Sequence, residues 1–218
     1  MLTPQMIDRL WQAFQDTALM VGVSAGIAVL AGIPLAVFLV TSGSQGIFRA
    51  PRLNRIVGTI VNSFRAVPFI VLLVALIPLT RLLAGTTIGV WAAIVPLSIS
   101  ATPFFARIAE VSLREIDPGL IEAAQSIGCR RRHIVRHVLL PEALPGIVGG
   151  FTITVVSMIG ASAMAGAVGA GGLGDVAIRY GYQRFDTTVM LAVIAILILL
   201  VSAVQIAGDV TVRRLKAR

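Results

Sequence analysis

Few side chains in this chain of 218 residues are of the types that bind metals or act as nucleophiles. The only histidines, His133 and His137, are four residues apart, a spacing that places both rings on one face of a helix and can suit a metal ion. No third ligand of the usual kind stands beside them, and the flanking Arg131, Arg132 and Arg136 repel cations. We therefore interpret this segment as a solvated basic face and predict no metal site.

Enzyme chemistry has equally little support. The single cysteine, Cys129, excludes a disulfide scaffold and a cysteine-cluster metal site. No Ser/His/Asp set, pair of carboxylates or metal triad converges in any apolar segment. A phosphate loop of the Gly-x-x-x-x-Gly-Lys-Ser/Thr kind is also missing, and the one lysine is Lys216. We expect a non-catalytic chain that binds no cofactor itself.

The composition is that of a membrane protein. Hydrophobic residues make up 57% of the chain, charged residues 13%, and the mean hydropathy is +0.93. Ordinary soluble domains carry about a quarter charged residues. A soluble fold of this length could not cover itself with so few polar side chains, and disorder requires low hydrophobicity and high charge.

Five apolar runs approach or exceed the roughly 20 residues that cross a bilayer as a helix. They are continuous rather than alternating with period two, which favours helices over strands. Arg65 interrupts the second run. The sequence thus predicts an all-α polytopic membrane protein whose transmembrane domain covers residues 17–209, with spans at about 17–40, 56–80, 86–106, 145–166 and 187–209.

The basic residues of the connections predict the orientation, because cytoplasmic loops carry an excess of Lys and Arg. One side holds thirteen: Arg49, Arg52, Arg55, Arg107, Arg114, Arg130, Arg131, Arg132, Arg136, Arg213, Arg214, Lys216 and Arg218. The other side holds four: Arg9, Arg81, Arg179 and Arg184. We predict an external N-terminus and a basic cytoplasmic tail at residues 210–218. The basic loops on the predicted cytoplasmic side then account for the net charge of +8, which no longer supports a nucleic-acid partner.

Residues 1–16 are predicted to form an external amphipathic segment. Asp8, Arg9 and Asp16 interrupt any apolar core that a signal peptide would need. Pro4 suits the first position of a helix. The apolar residues of this helix share one face that would lie on the membrane surface: Ile7, Leu10, Trp11 and Phe14.

The longest cytoplasmic connection, residues 107–140, has the pattern of a docking element. Asp117 and Pro118 are good first residues of a helix, and Gly128 suits its end. A second helix over 130–140 leads back to the membrane. An amphipathic loop lying on lipid headgroups is the alternative, but it does not explain the acidic Glu122 beside two alanines.

This loop resembles the "EAA" signature of the permease subunits of bacterial ABC importers. The family pattern is Glu-Ala-Ala, three residues, Gly, nine residues, Ile, one residue and Leu-Pro. Glu122-Ala123-Ala124, Gly128 and Leu140-Pro141 match it, and Val138 replaces the isoleucine. The resemblance implies a type I ABC importer permease fold in which these residues form a coupling helix seated in the ATP-binding subunit. ATP and Mg would be bound by that separate chain.

The resemblance extends over essentially the whole chain to methionine-import permeases. It is carried by Asn62–Ile70, Pro78–Arg81, Ala165–Gly174 and Tyr180–Gln183. It implies a homodimer in the lipid of the bacterial inner membrane, two ATP-binding cassette subunits and an external lipoprotein that delivers methionine. A permease for glycine betaine, phosphonate or another amino acid is the alternative. A secondary transporter is a further one, although no inverted repeat is visible.

Two residues within the membrane are candidates for function. Met164 is the only bulky side chain in a stretch of small residues, and residues 146–174 are expected to pack at a dimer axis. Met164 either gates a narrow pathway there or fills a gap in the bundle. Arg65 is the only charge placed inside a span, which makes it a functional candidate by default. Snorkelling toward the inner headgroups or pairing between helices is the interpretation we favour for Arg65 from the sequence.

Overall fold

All regular structure in the residues that the computed structural model describes, 3–44 and 46–217, is helical. The all-α prediction is confirmed. The helices are α1 (Pro4–Thr41), α2 (Pro51–Ala66), α3 (Phe69–Ala75), α4 (Ile77–Ala84), α5 (Val90–Arg114), α6 (Pro118–Ser126), α7 (Arg131–Ile134), α8 (Leu140–Gly166), α9 (Gly172–Val176) and α10 (Thr187–Lys216). Wider π-helical turns join α7 to α8 at Val135–Leu139 and follow α9 at Ala177–Tyr182.

Four helical stretches of the described residues are long and apolar enough to cross a membrane: α1, α5, α10 and the stretch Arg131–Gly166 that contains α8. A fifth span exists if α2 and α3 are counted together, although they meet at an angle of 104°. The predicted number of five therefore includes one broken span.

The core is built on α1 and α5, which make the most extensive contact between any two helices of the described residues. The Ser24 hydroxyl donates to the Ile94 carbonyl at 3.3 Å, and Gly32 lies so close to Phe105 that a methyl group there would come within 2.7 Å of the ring. Small residues of this kind let transmembrane backbones approach closely. Helix α8 packs on α5, and α10 packs on α8.

The N-terminal segment is not a separate surface helix. Helix α1 continues unbroken from Pro4, and Leu10 and Ala13 are buried in a cluster with Leu173, Val176 and Val189. Charged residues lower the hydropathy of this stretch but do not interrupt its backbone hydrogen bonds. Its inner face consequently packs on protein. Met1 and Leu2 lie outside the described residues.

The second predicted span, 56–80, is divided among α2, α3 and α4. Val67 is extended (ψ 126°), as the residue before a proline prefers, and the chain turns sharply there. Helices α3 and α4 then meet at Leu76, just ahead of Pro78.

The second helix of the 107–140 connection runs directly into the fourth span. The Leu140 amide bonds the Val135 carbonyl, five residues back, so the wider turn carries the helix past Pro141. Only residues 167–171 separate the end of α8 from α9, which begins at Gly172.

Candidate functional site

Helix α6 is defined at both ends by local capping. Asp117 is its N-cap, with Oδ1 accepting from the Gly119 amide at 2.8 Å, and Pro118 occupies the first turn. At the other end Gly128 has a φ of +77°, a conformation that strongly favours glycine. The Cys129 amide donates to the Ala124 carbonyl at 3.1 Å and the Gly128 amide to that of Gln125 at 3.0 Å. This pair of bonds is the Schellman motif, so α6 begins and ends where the sequence predicted.

The signature residues of α6 fall on two different faces. Glu122 and Ala123 are exposed, whereas Ala124 is buried against its own chain. Ala124 is thus not available to a partner in the way that the family resemblance suggested. Two large apolar side chains are also exposed here, Leu120 and Ile127, and Ile127 is 80% exposed. Glu122 lies on the free face of α6, opposite Leu120 and Ile127, which lie on the side of Ala124.

Leu140 and Pro141, the far end of the signature, lie in the first turn of α8. Leu140 is half-buried and Pro141 is exposed. An open groove runs between α6, the start of α8 and the end of α10, and it is lined by Leu120, Pro141 and Lys216 among others. The fold thus brings Pro141 of the signature and Leu120 of α6 to one groove.

A charge cluster at the end of α5 was missed by sequence reasoning. The Glu110 side chain is only 3% exposed, and its carboxylate accepts from Arg107 at 2.7 Å and from both Nε and Nη2 of Arg114, at 3.0 and 2.8 Å. The spacing of these residues, three and four apart, was the available signal. The cluster occupies the last two turns of α5, the helix immediately before α6.

Met164 does not fill a gap in this chain. Its side chain is 52% exposed on α8, near the end of that helix. The gap-filling interpretation is therefore wrong for the single protomer. Much of the neighbouring small-residue stretch packs inside the protomer, contrary to the expected packing at a dimer axis: Gly146 meets Ser112 and Gly150 meets Ile108. Gly160 has open space beside it and remains available to another chain.

Arg65 lies in the last turn of α2, beside the sharp bend. It makes no ion pair with an acidic residue in the described part of the chain, so the interhelical-pairing alternative finds no partner within one protomer. The side chain lines a cavity between the bend, α5 and α8. Pro51 begins α2, and fourteen residues at about 1.5 Å each put Arg65 roughly 21 Å from that end.

His133 of α7 and His137 of the π-helical turn that follows it are both exposed. The rings of His133 and His137 stack with centroids 4.2 Å apart. Across residues 3–44 and 46–217, no group of three His, Cys, Asp or Glu side chains is placed to hold a metal ion.

Apolar spanning helices, a broken second span and an exposed helix between α5 and α8 define an integral-membrane transport subunit. Residues 28–217 match the family described as binding-protein-dependent transport system inner membrane component, and the chain belongs to this family. The predicted family is confirmed.

The similar proteins include methionine permeases from several bacteria. The chain is 51% identical to the probable D-methionine transport system permease protein MetI of Vibrio cholerae over 97% of this chain and 94% of that one. It is 40% identical to the methionine import system permease protein MetP of Bacillus subtilis over 79% of this chain and 77% of that one.

Solved structures agree with the type I permease fold. A structure described as an inward facing conformation of the MetNI methionine ABC transporter matches with a TM-score of 0.96 and 46% identity, covering 98% of this chain and 99% of that one. An amino acid ABC transporter crystallised with histidines matches with a TM-score of 0.79 at 20% identity. At this identity the match supports the fold alone. The predicted fold is confirmed.

Proposed function

We propose that this chain is the permease subunit of an ATP-driven methionine importer. The observation that carries the proposal is the near-complete alignment, at 46% and 51% identity, with a chain of a methionine ABC transporter and with a methionine permease. A permease for another small solute is the remaining alternative, because fold alone does not determine substrate.

The active assembly is proposed to contain two copies of this chain, two ATP-binding subunits that bind ATP and Mg, and an external lipoprotein that delivers methionine. Two features support the separate ATPase. The chain has no phosphate loop, and the free face of α6 is exposed with Glu122 upon it. Glu122 would pair with a basic residue of the ATPase groove, and Ile127 would bury its apolar side chain there.

Coupling is proposed to run through α6 into both α5 and α8. Helix α6 follows α5 after three residues, and α7 continues it into α8. The contacts of Gly146 with Ser112 and of Gly150 with Ile108 leave no room for α5 and α8 to slide at this end. Closure of the ATPase subunits on ATP would therefore move α5 and α8 together as a rigid body.

The chain is proposed to lie in the inner membrane with its N-terminus outside and its C-terminus in the cytoplasm. Lipid is the proposed neighbour of the outer face of α10, where Leu191, Ile198 and Leu199 are more than half exposed. Met164 is proposed to narrow the pathway where the two copies meet.

A cell-based test separates methionine from the alternatives. A bacterial strain without high-affinity methionine uptake is given this chain with the ATPase and lipoprotein of its own system, and each of the three is omitted in turn. We expect labelled methionine uptake only with all three, and unlabelled methionine to compete where glycine betaine and phosphonate do not. Uptake of another solute in preference to methionine would replace the substrate in this proposal.

A further inference from the structure

We propose that the cavity beside Arg65 is a binding site for the carboxylate of the transported amino acid, with Arg65 as the residue that contacts it. The inference rests on the proposed function and adds to it a substrate site within the permease. The cavity measures about 80 Å³ in this protomer.

The lining of the cavity is mixed in a way that suits an amino acid. Arg65, Ser100 and Ser157 contribute polar groups, and Phe104, Leu97 and Met158 form apolar walls. The guanidinium is planar and binds a carboxylate through two parallel hydrogen bonds. The apolar walls would receive an apolar side chain.

The charge of Arg65 supports a ligand that is anionic. An unpaired arginine within a membrane domain is costly, and such residues are usually paired. Its position in the last turn of α2 offers only the partial negative charge of the helix end. No acidic side chain of the described residues forms an ion pair with it. A passing carboxylate would complete the pair.

The cavity also lies in line with Met164. Ser157, Ala161 and Met164 follow at intervals of four and three residues and share one face of α8. Seven residues of helix correspond to about 10 Å, so Met164 stands roughly that far from Ser157 toward the outer end of α8. A solute that passes Met164 along this face next meets Arg65.

The first test is uptake into proteoliposomes that hold the complete transporter. We compare Arg65→Gln and Arg65→Lys with the matched control Arg81→Gln, an exposed arginine of α4 away from the cavity. Loss of a charge-assisted hydrogen bond is worth about 1.5–3 kcal/mol, which corresponds to a fall of about ten- to a hundredfold in uptake at subsaturating methionine. We expect that fall for Arg65→Gln, partial uptake for Arg65→Lys and normal uptake for Arg81→Gln, with an unchanged melting temperature in all three.

The second test measures occupancy without transport. Ser157→Cys is introduced in a chain whose Cys129 is replaced, and modification of the new thiol by a maleimide is followed in the nucleotide-free complex. We expect methionine to slow the reaction, methioninamide (which lacks the carboxylate) not to slow it, and Arg65→Gln to remove the protection.

Uptake by Arg65→Gln close to that of the parent would overturn the inference, as would equal protection by methioninamide or none by methionine. If the parent complex takes up no methionine, the proposed function and the inference both fail. If the parent takes up methionine and only these variants disagree with expectation, the inference alone fails.

Discussion

The amide nitrogen of Cys129 lies 3.1 Å from the carbonyl oxygen of Ala124, and this bond closes α6 with Gly128 in the left-handed conformation. Gly128 therefore sets the direction in which α6 presents Glu122 and Ile127. Open space surrounds Gly128, so a side chain added at this position would strain the backbone without clashing with a neighbour.

Replacing Gly128 by alanine should weaken coupling. A side chain in the left-handed region costs about 1–2 kcal/mol, and relief of that strain would turn α6 relative to α7. We expect reduced ATPase binding and reduced uptake. Gly85→Ala is the control, because Gly85 has a φ of +72° and equally open surroundings at the end of α4, away from α6. Equal loss of uptake in the two variants would show that backbone strain, and not the orientation of α6, causes the loss.

Reversing the charge of Glu122 should uncouple the transporter. A lysine at this exposed position would meet the basic residue proposed in the ATPase groove, and like charges at a docked surface cost several kcal/mol. We expect normal membrane insertion, weak ATPase binding in a pull-down and no uptake. Glu142→Lys makes the same charge change on an exposed residue of α8 and should be milder. Normal uptake with Glu122→Lys would contradict the docking role.

Trimming Met164 to alanine should open a leak with little loss of stability. Met164 is 52% exposed in the protomer, whereas Met20 of α1 is fully buried. Met20→Ala should destabilise the protein by about 2–5 kcal/mol, as cavities left by buried methionines do, without passive flux. Met164→Ala should leave the melting temperature nearly unchanged and allow passive methionine movement without nucleotide. A tight but less stable Met164→Ala transporter would mean that this side chain packs the dimer and gates nothing.

Neutralising Glu110 should destabilise the protein less than neutralising both of its arginine partners. Arg107 and Arg114 are partly exposed, and water can solvate them if Glu110 becomes glutamine. Removing both arginines instead leaves a buried carboxylate unpaired, which costs about 3–5 kcal/mol. We expect the double variant Arg107→Gln/Arg114→Gln to melt well below Glu110→Gln in detergent. The reverse order would show that the arginines have other essential partners.

The proposed orientation can be measured with an impermeant maleimide in intact cells. Single cysteines at Gly43 and Ser126, in a chain lacking Cys129, should not react, because the thirteen basic residues put those loops inside. A cysteine at Tyr182, which is 66% exposed, should react. Reaction at Ser126 would reverse the topology.

Local signals predicted the parts of this protein that local forces determine. The ends of α6 were found because Asp117 and Gly128 act on their own backbone. The turn at Val67 was missed although Pro68 signals it, because the span was predicted from the length of an apolar run, which carries no directional information. Burial of Ala124 and exposure of Met164 depend on which neighbours the fold supplies, and no spacing along the chain encodes that.

ATP-dependent uptake of labelled methionine into proteoliposomes tests the proposed function most directly. The vesicles contain this chain with its own ATPase, and the lipoprotein is added outside. We predict that methionine accumulates above its external concentration with ATP, and that Glu122→Lys or omission of the lipoprotein stops it. Equal uptake with and without ATP, or accumulation of another solute but not methionine, would contradict the assignment.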